Sequence, residues 1–123
     1  PYFYFIIYVH SIFKEFGGPY ILEIKGGKIS EFGGPWLYVV ENGLLKKWGG
    51  SWEFDFRDGR NIKRWGGMNE LVYENGNIKR WSGQIIAQFD GRFFKPFAGS
   101  WEYEVVGFVT RDELLAIITL LYS

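Results

Sequence analysis

Cysteine is absent from the 123-residue chain, and histidine occurs once, as His10. Without thiols there are no disulfides, no thiol catalysis and no Cys-ligated metal, and the redox compartment is left open. A lone His10 has no second histidine and no His-Glu-x-x-His spacing to build a metal centre or a nucleophile–histidine pair. It reads as a turn residue or a satisfied, partly buried side chain. Neither a cofactor nor catalysis is expected. An excess of one charge is missing as well, since 14 basic residues balance 14 acidic ones. A neutral chain has no global attraction for nucleic acid or an anionic membrane, so only a local patch could recruit either. No apolar run reaches the roughly 18 residues that a spanning helix needs. Pro1 to Val9 is apolar but lacks the basic leader and small-residue cleavage site of a signal peptide. The chain reads as soluble, with the compartment open and the cytoplasm favoured.

What is present is aromatic and glycine-rich: 12 Phe, 8 Tyr and 6 Trp alongside 17 Gly. That much ring surface excludes disorder, and the length fits one domain over residues 1–123. The glycines fall in register. Gly-Gly or a near match stands at 17–18, 33–34, 49–50, 66–67, 82–83 and 98–99, a period of about 16 residues that marks a tandem repeat. Between these turns lie Gly26-Gly27, Asn42-Gly43, Asp58-Gly59, Asn75-Gly76 and Asp90-Gly91. Asn-Gly and Asp-Gly favour the positive φ of two-residue hairpin turns.

Each unit holds two segments. The longer one follows the Gly-Gly turn and alternates, as in Tyr20/Leu22/Ile24, Trp36/Tyr38/Val40, Trp52/Phe54/Phe56 and Trp101/Tyr103/Val105. Period-two alternation means a half-buried strand with these residues on the core face. The shorter one runs Phe13-Lys-Glu-Phe16, Ile29-Ser-Glu-Phe32, Leu45-Lys-Lys-Trp48, Ile62-Lys-Arg-Trp65, Ile78-Lys-Arg-Trp81 and Phe94-Lys-Pro-Phe97. Its apolar ends, three apart, fall on opposite faces of a flat strand. Either the sheet is covered on both sides there, or a bulge re-aims the aromatic.

With a first strand over Tyr2–Val9, the pattern predicts an all-β antiparallel meander of about thirteen short strands, closed or folded over to manage its edges. A β-solenoid is the alternative. The hairpin repeats occupy 1–109. The tail, 110–122, is a helix: Thr110-Arg-Asp-Glu113 has capping-box spacing, and the residues after it are apolar nearly all round, which calls for burial.

Three constellations are candidates for chemistry. The carboxylate pairs Glu53/Asp55 and Glu102/Glu104 are about 7 Å apart by strand rise, within the inverting-glycosidase range, but polar alternation alone produces such pairs. The basic–aromatic set Lys46, Trp48, Lys63, Arg64, Trp65, Lys79, Arg80 and Trp81 is the candidate ligand site. Rings beside cations are what single-stranded nucleic-acid platforms use; opposite charges on neighbouring strands equally explain the cations as cross-strand pairs. Exposed tryptophans also suit shallow sugar sites, where a sugar's apolar face lies on a ring.

Two stretches resemble known repeats. Gly50-Ser-Trp-Glu-Phe-Asp-Phe-Arg-Asp-Gly59 is similar to one repeat of bacterial cell-wall choline-binding modules, and Leu71-Val-Tyr-Glu-Asn-Gly-Asn-Ile-Lys79 to a MORN-type repeat. Each likeness covers one unit of six, and no functional residue is carried over from either. The sequence therefore points to a non-enzymatic interaction or structural module with a protein or glycan partner. The alternatives are a lectin-like carbohydrate binder using exposed Trp and a single-stranded nucleic-acid binder, the latter disfavoured by zero net charge. Self-association would run through a sheet edge or the C-terminal helix.

Overall fold

The computed structural model describes residues 10–123, so the strand expected over Tyr2–Val9 lies outside the described residues. Twelve strands follow in order: β1 (His10–Glu15), β2 (Tyr20–Lys25), β3 (Lys28–Glu31), β4 (Trp36–Glu41), β5 (Leu44–Lys47) and β6 (Trp52–Asp55). The second half is β7 (Asn61–Arg64), β8 (Asn69–Glu74), β9 (Asn77–Arg80), β10 (Ile85–Phe89), β11 (Phe93–Pro96) and β12 (Tyr103–Val106). Each pairs antiparallel with its neighbours in sequence. β1 then pairs with β12, Phe13 opposite Val105, to close a barrel. The meander is therefore closed, and the solenoid is excluded. Every described strand is paired on both sides, which leaves no free sheet edge among them.

The turns at one rim follow their sequences. Asn42-Gly43, Asn75-Gly76 and Gly26-Gly27 have positive φ at both residues, the mirror-image turn that matches strand twist. Gly43 must be glycine, because a Cβ there would sit 2.7 Å from the Cα of Arg57. The Asp-Gly turns are built differently. Asp58 and Asp90 keep negative φ, and their carboxylates each accept two backbone N–H groups, from Arg60 and Asn61 and from Arg92 and Phe93. The neutral amide of Asn, of the same length, could not do this with the same charge-assisted strength.

At the opposite rim, pairing of a short strand with the long strand after it slips by one. Leu45 faces Phe54, but Lys46 faces Trp52, leaving Glu53 as an extra residue. The same slip leaves out Ile21, Leu37, Glu70 and Ile86. A one-residue bulge flips the face of what precedes it. This corrects the expected core face: Phe54 is buried, but Trp36 and Trp52 are only half-buried, and Tyr20 keeps 48% of its surface exposed; Trp101, ahead of β12 where the pairing shows no slip, is also 48% exposed. The bulge sits at the start of the long strand, not within the short strand.

Inside, all twelve strands contribute to one core, which also contains the C-terminal helix α1 (Arg111–Tyr122). Leu114 to Ile118 are all buried. Side chains advance about 100° per residue around a helix, so five in succession cover every direction, and α1 must be surrounded. Twelve strands about 4.8 Å apart and tilted by about 40° enclose a radius of about 12 Å, and a helix with its side chains takes about 5–6 Å of it. The remainder holds one layer of wall side chains.

The helix is tied in at the Asn-Gly rim. Thr110 and Glu113 form the capping box. Three successive residues then bind three successive turns: Arg111 donates to the Gly59 carbonyl, while Asp112 and Glu113 accept from the N–H groups of Gly43 and Gly27, each at 3.0 Å. Two carboxylates in the first turn also complement the helix dipole. At its far end Leu120 and Leu121 help wall an apolar cavity of about 330 Å3 with Phe13, Ile21, Leu22, Tyr38 and Tyr103.

Candidate binding face on the outer wall

Six aromatic residues, Phe16, Phe32, Trp48, Trp65, Trp81 and Phe97, stand one per turn around the Gly-Gly rim, each 48–55% exposed. The backbone sets this uniformity. The N–H of each donates across to the second residue of the neighbouring long segment, Glu102, Ile21, Leu37, Glu53, Glu70 and Ile86 respectively, at 2.9–3.1 Å. Five of those acceptors are the bulge residues. The next turn then closes two residues on, at 2.8–3.0 Å. A ring held at both flanks of its own backbone cannot fold into the lumen, so it lies on the outer wall.

The strand pleat sorts the cations. Lys46, Lys63 and Lys79 occupy the outward position after the buried Leu45, Ile62 and Ile78. Arg64 and Arg80 fall opposite Phe54 and Leu71 instead, on the other side of the wall at its rim. Each Lys-Arg-Trp triplet is thereby split, with Lys and Trp outside and Arg turned the other way. Arg64 covers the Phe54 ring at 5.1 Å and ion-pairs with Glu70. Lys79 is bonded to Glu74 at 3.0 Å, and this hydrogen bond holds the Glu74 carboxyl below its usual range. Lys63 faces Asp55. The eight candidate residues do not form one patch.

One group does assemble, on β3 to β5. Trp36 and Trp48 tilt against each other with centroids 6.2 Å apart, and the Lys28 ammonium stands 5.7 Å from both. Lys46 lies 4.9 Å over Trp52. Between them runs a groove of about 450 Å3 lined by Lys28, Val39, Glu41, Lys46, Trp48 and Gly49. Of the sequence-derived candidates, Lys46 and Trp48 belong to it. Lys28 and Glu41 were not among them, and alternation placed Trp36 on the core face, from which the bulge turns it outward. Trp65 is covered by Arg57 at 5.7 Å, and Trp81 has Asn69 where Trp48 has Trp36.

The carboxylate pairs are engaged elsewhere. Asp55 is held by Arg57 at 2.8 Å, a hydrogen bond that keeps its carboxyl below the usual value. Glu53 pairs with Lys47, and Glu104 with both Lys14 and Arg92. Asp55 therefore stays ionised at neutral pH, the opposite of what a general acid requires. His10 heads β1 opposite Lys25. Among the described residues no three His, Cys, Asp or Glu side chains converge as metal ligands, and no helix is long and apolar enough to cross a membrane. Compared with known proteins, the chain matches no family model, no curated protein and no solved structure.

Proposed function

We propose that this chain is a non-enzymatic carbohydrate-binding module that takes a sugar in the groove beside Trp48. The groove itself carries the reading. It offers a half-exposed indole for the apolar C–H face of a pyranose, with the Lys28 and Lys46 ammonium groups and the Glu41 carboxylate at its edges to bond hydroxyls. Shallow sites that combine rings with a few polar groups suit sugars, which have one apolar face and a polar rim. The nucleic-acid reading draws less support. A stacking platform needs cations free for phosphates, and Glu70 and Glu74 already engage Arg64 and Lys79.

The test is binding to immobilised cellohexaose and chitohexaose, whose equatorial hydroxyls leave flat apolar faces. Binding should be insensitive to salt and should weaken at least tenfold, about 1.4 kcal/mol, in Trp48→Ala. Failure to bind either sugar, with oligonucleotide binding that falls steeply with salt, would replace this reading by the nucleic-acid one. Binding to neither class leaves a protein-interaction module.

A further inference from the structure

The wall on the other side of the barrel carries a second set of the same ingredients. Phe93 and Trp101 stack nearly parallel, centroids 4.7 Å apart at 11°, and Phe16 meets both edge-on at 5.5 and 5.7 Å. Trp101 keeps 48% of its surface exposed. Beside this stack is a groove of about 380 Å3 whose polar lining includes Asn75, Asn77, Gln88, Asp90 and Lys95. Gln88 donates to Asn77 at 3.0 Å, which orients both amides. That bond leaves the Gln88 carbonyl and the Asn77 NH2 as an adjacent acceptor and donor, the pair that two neighbouring hydroxyls, or one acetamido group, would satisfy. Asp90 is fixed in place by accepting from the N–H groups of Arg92 and Phe93. Ring, amides, carboxylate and ammonium thus converge on one concavity with their geometry already set.

Position around the barrel gives the arrangement its consequence. The Trp48 groove is centred on β3 to β5 and the Trp101 groove on β9 to β12, about six strands apart in a ring of twelve. Half a turn of a barrel about 12 Å in radius puts them on opposite walls, about 24 Å apart through the core. A stiff β-linked oligosaccharide lying along one wall cannot reach round to the other.

We infer that the Phe93–Trp101 groove is a second carbohydrate site and that one chain bridges two separate glycan strands. The inference rests on the carbohydrate reading of the Trp48 groove. Its test is calorimetric titration of the full chain with cellohexaose and chitohexaose, and turbidity on mixing with beads carrying either sugar. The wild-type chain should bind two sugars and cross-link the beads. Trp101→Ala and Trp48→Ala should each bind one sugar and cross-link nothing, with far-UV circular dichroism and thermal midpoint confirming the fold. Gln88→Ala, which leaves the ring stack intact, should weaken one of the two sites several-fold. A stoichiometry of one that Trp101→Ala and Gln88→Ala leave unchanged would overturn the second site while the first reading stands. No binding by the wild-type chain would overturn both.

Discussion

On the lumen side of the barrel, each short segment places one apolar residue, Phe13, Ile29, Leu45, Ile62, Ile78 or Phe94, and none is more than 1% exposed. The next residue along, on the outer wall, is Lys14, Ser30, Lys46, Lys63, Lys79 or Lys95, and its surroundings change from hairpin to hairpin. Lys14 pairs with Glu104, Lys79 with Glu74, and Lys46 lies over Trp52. The inner residues all meet the same helix across one layer of side chains, so volume and polarity are dictated alike at every position. The outer residues meet a neighbour that differs each time, and their exposure differs too, down to Ser30 at 2%. The lumen specifies the fold, and the outer wall is where hairpins can be given separate chemistry.

The most severe way to test this division is to empty the lumen. Deleting residues 110–123 removes the plug and the clamp of Arg111, Asp112 and Glu113. The truncated chain should aggregate and lose cooperative unfolding, as read by size exclusion and thermal circular dichroism. A monodisperse, equally stable barrel would show that the wall needs no filling. Less drastically, Ile62→Ala should cost about 2–5 kcal/mol by denaturant titration. Trp65→Ala, three residues away on the outer wall, should cost less, because half of its surface already sees water and its removal opens no closed cavity. Similar losses would erase the distinction between the faces.

How far these faces could be read in advance depends on the residues concerned. The Asn42-Gly43 and Asn75-Gly76 turns and the Thr110–Glu113 capping box are local, so their signals survive in sequence. The place of Trp52 was not legible. Alternation from Phe54 puts it inside, and only pairing across to Lys46 reveals the extra residue at Glu53 that turns it out. Closure was open for a similar reason, since Phe13 and Val105 meet from opposite ends of the chain. An all-apolar helix fits a cap as well as a plug; what decides is the lumen, which exists only once β1 and β12 have paired. The Trp48 groove inherits that difficulty, because Trp36 and Trp52 reach the outer face only by the bulge.

Smaller effects are expected at the end of the helix and in one rim turn. Tyr122 ends the helix with a buried hydroxyl that has no partner among the described residues. Burial, with lesser contributions from Glu102 and Tyr103, pushes its phenol from 10.0 up to about 12. A group whose folded value is raised stabilises the fold below the unfolded value and loses that contribution as pH rises through the folded one. Stability should therefore fall between about pH 10 and about pH 12, and Tyr122→Phe should flatten that fall in alkaline denaturation curves. The smallest change expected is a gain. Ala98 sits in its rim turn at φ 61, where other turns have glycine, and Ala98→Gly should raise stability by about 0.5 kcal/mol through relief of left-handed strain. A loss on thermal unfolding would mean that the turn tolerates the methyl without cost.

Leu45 and Trp48, three residues apart in one hairpin, face the lumen and the outer wall. Leu45→Ala and Trp48→Ala should each be measured for stability by denaturant titration and for affinity to cellohexaose and chitohexaose under native conditions. Leu45→Ala should lose about 2–5 kcal/mol of stability while its folded fraction binds as the parent does. Trp48→Ala should lose less stability than Leu45→Ala, since it opens no closed cavity, and at least tenfold in sugar affinity. If the two variants instead lose stability and affinity in parallel, or if Trp48→Ala binds sugar unchanged, the outer wall is not the binding face.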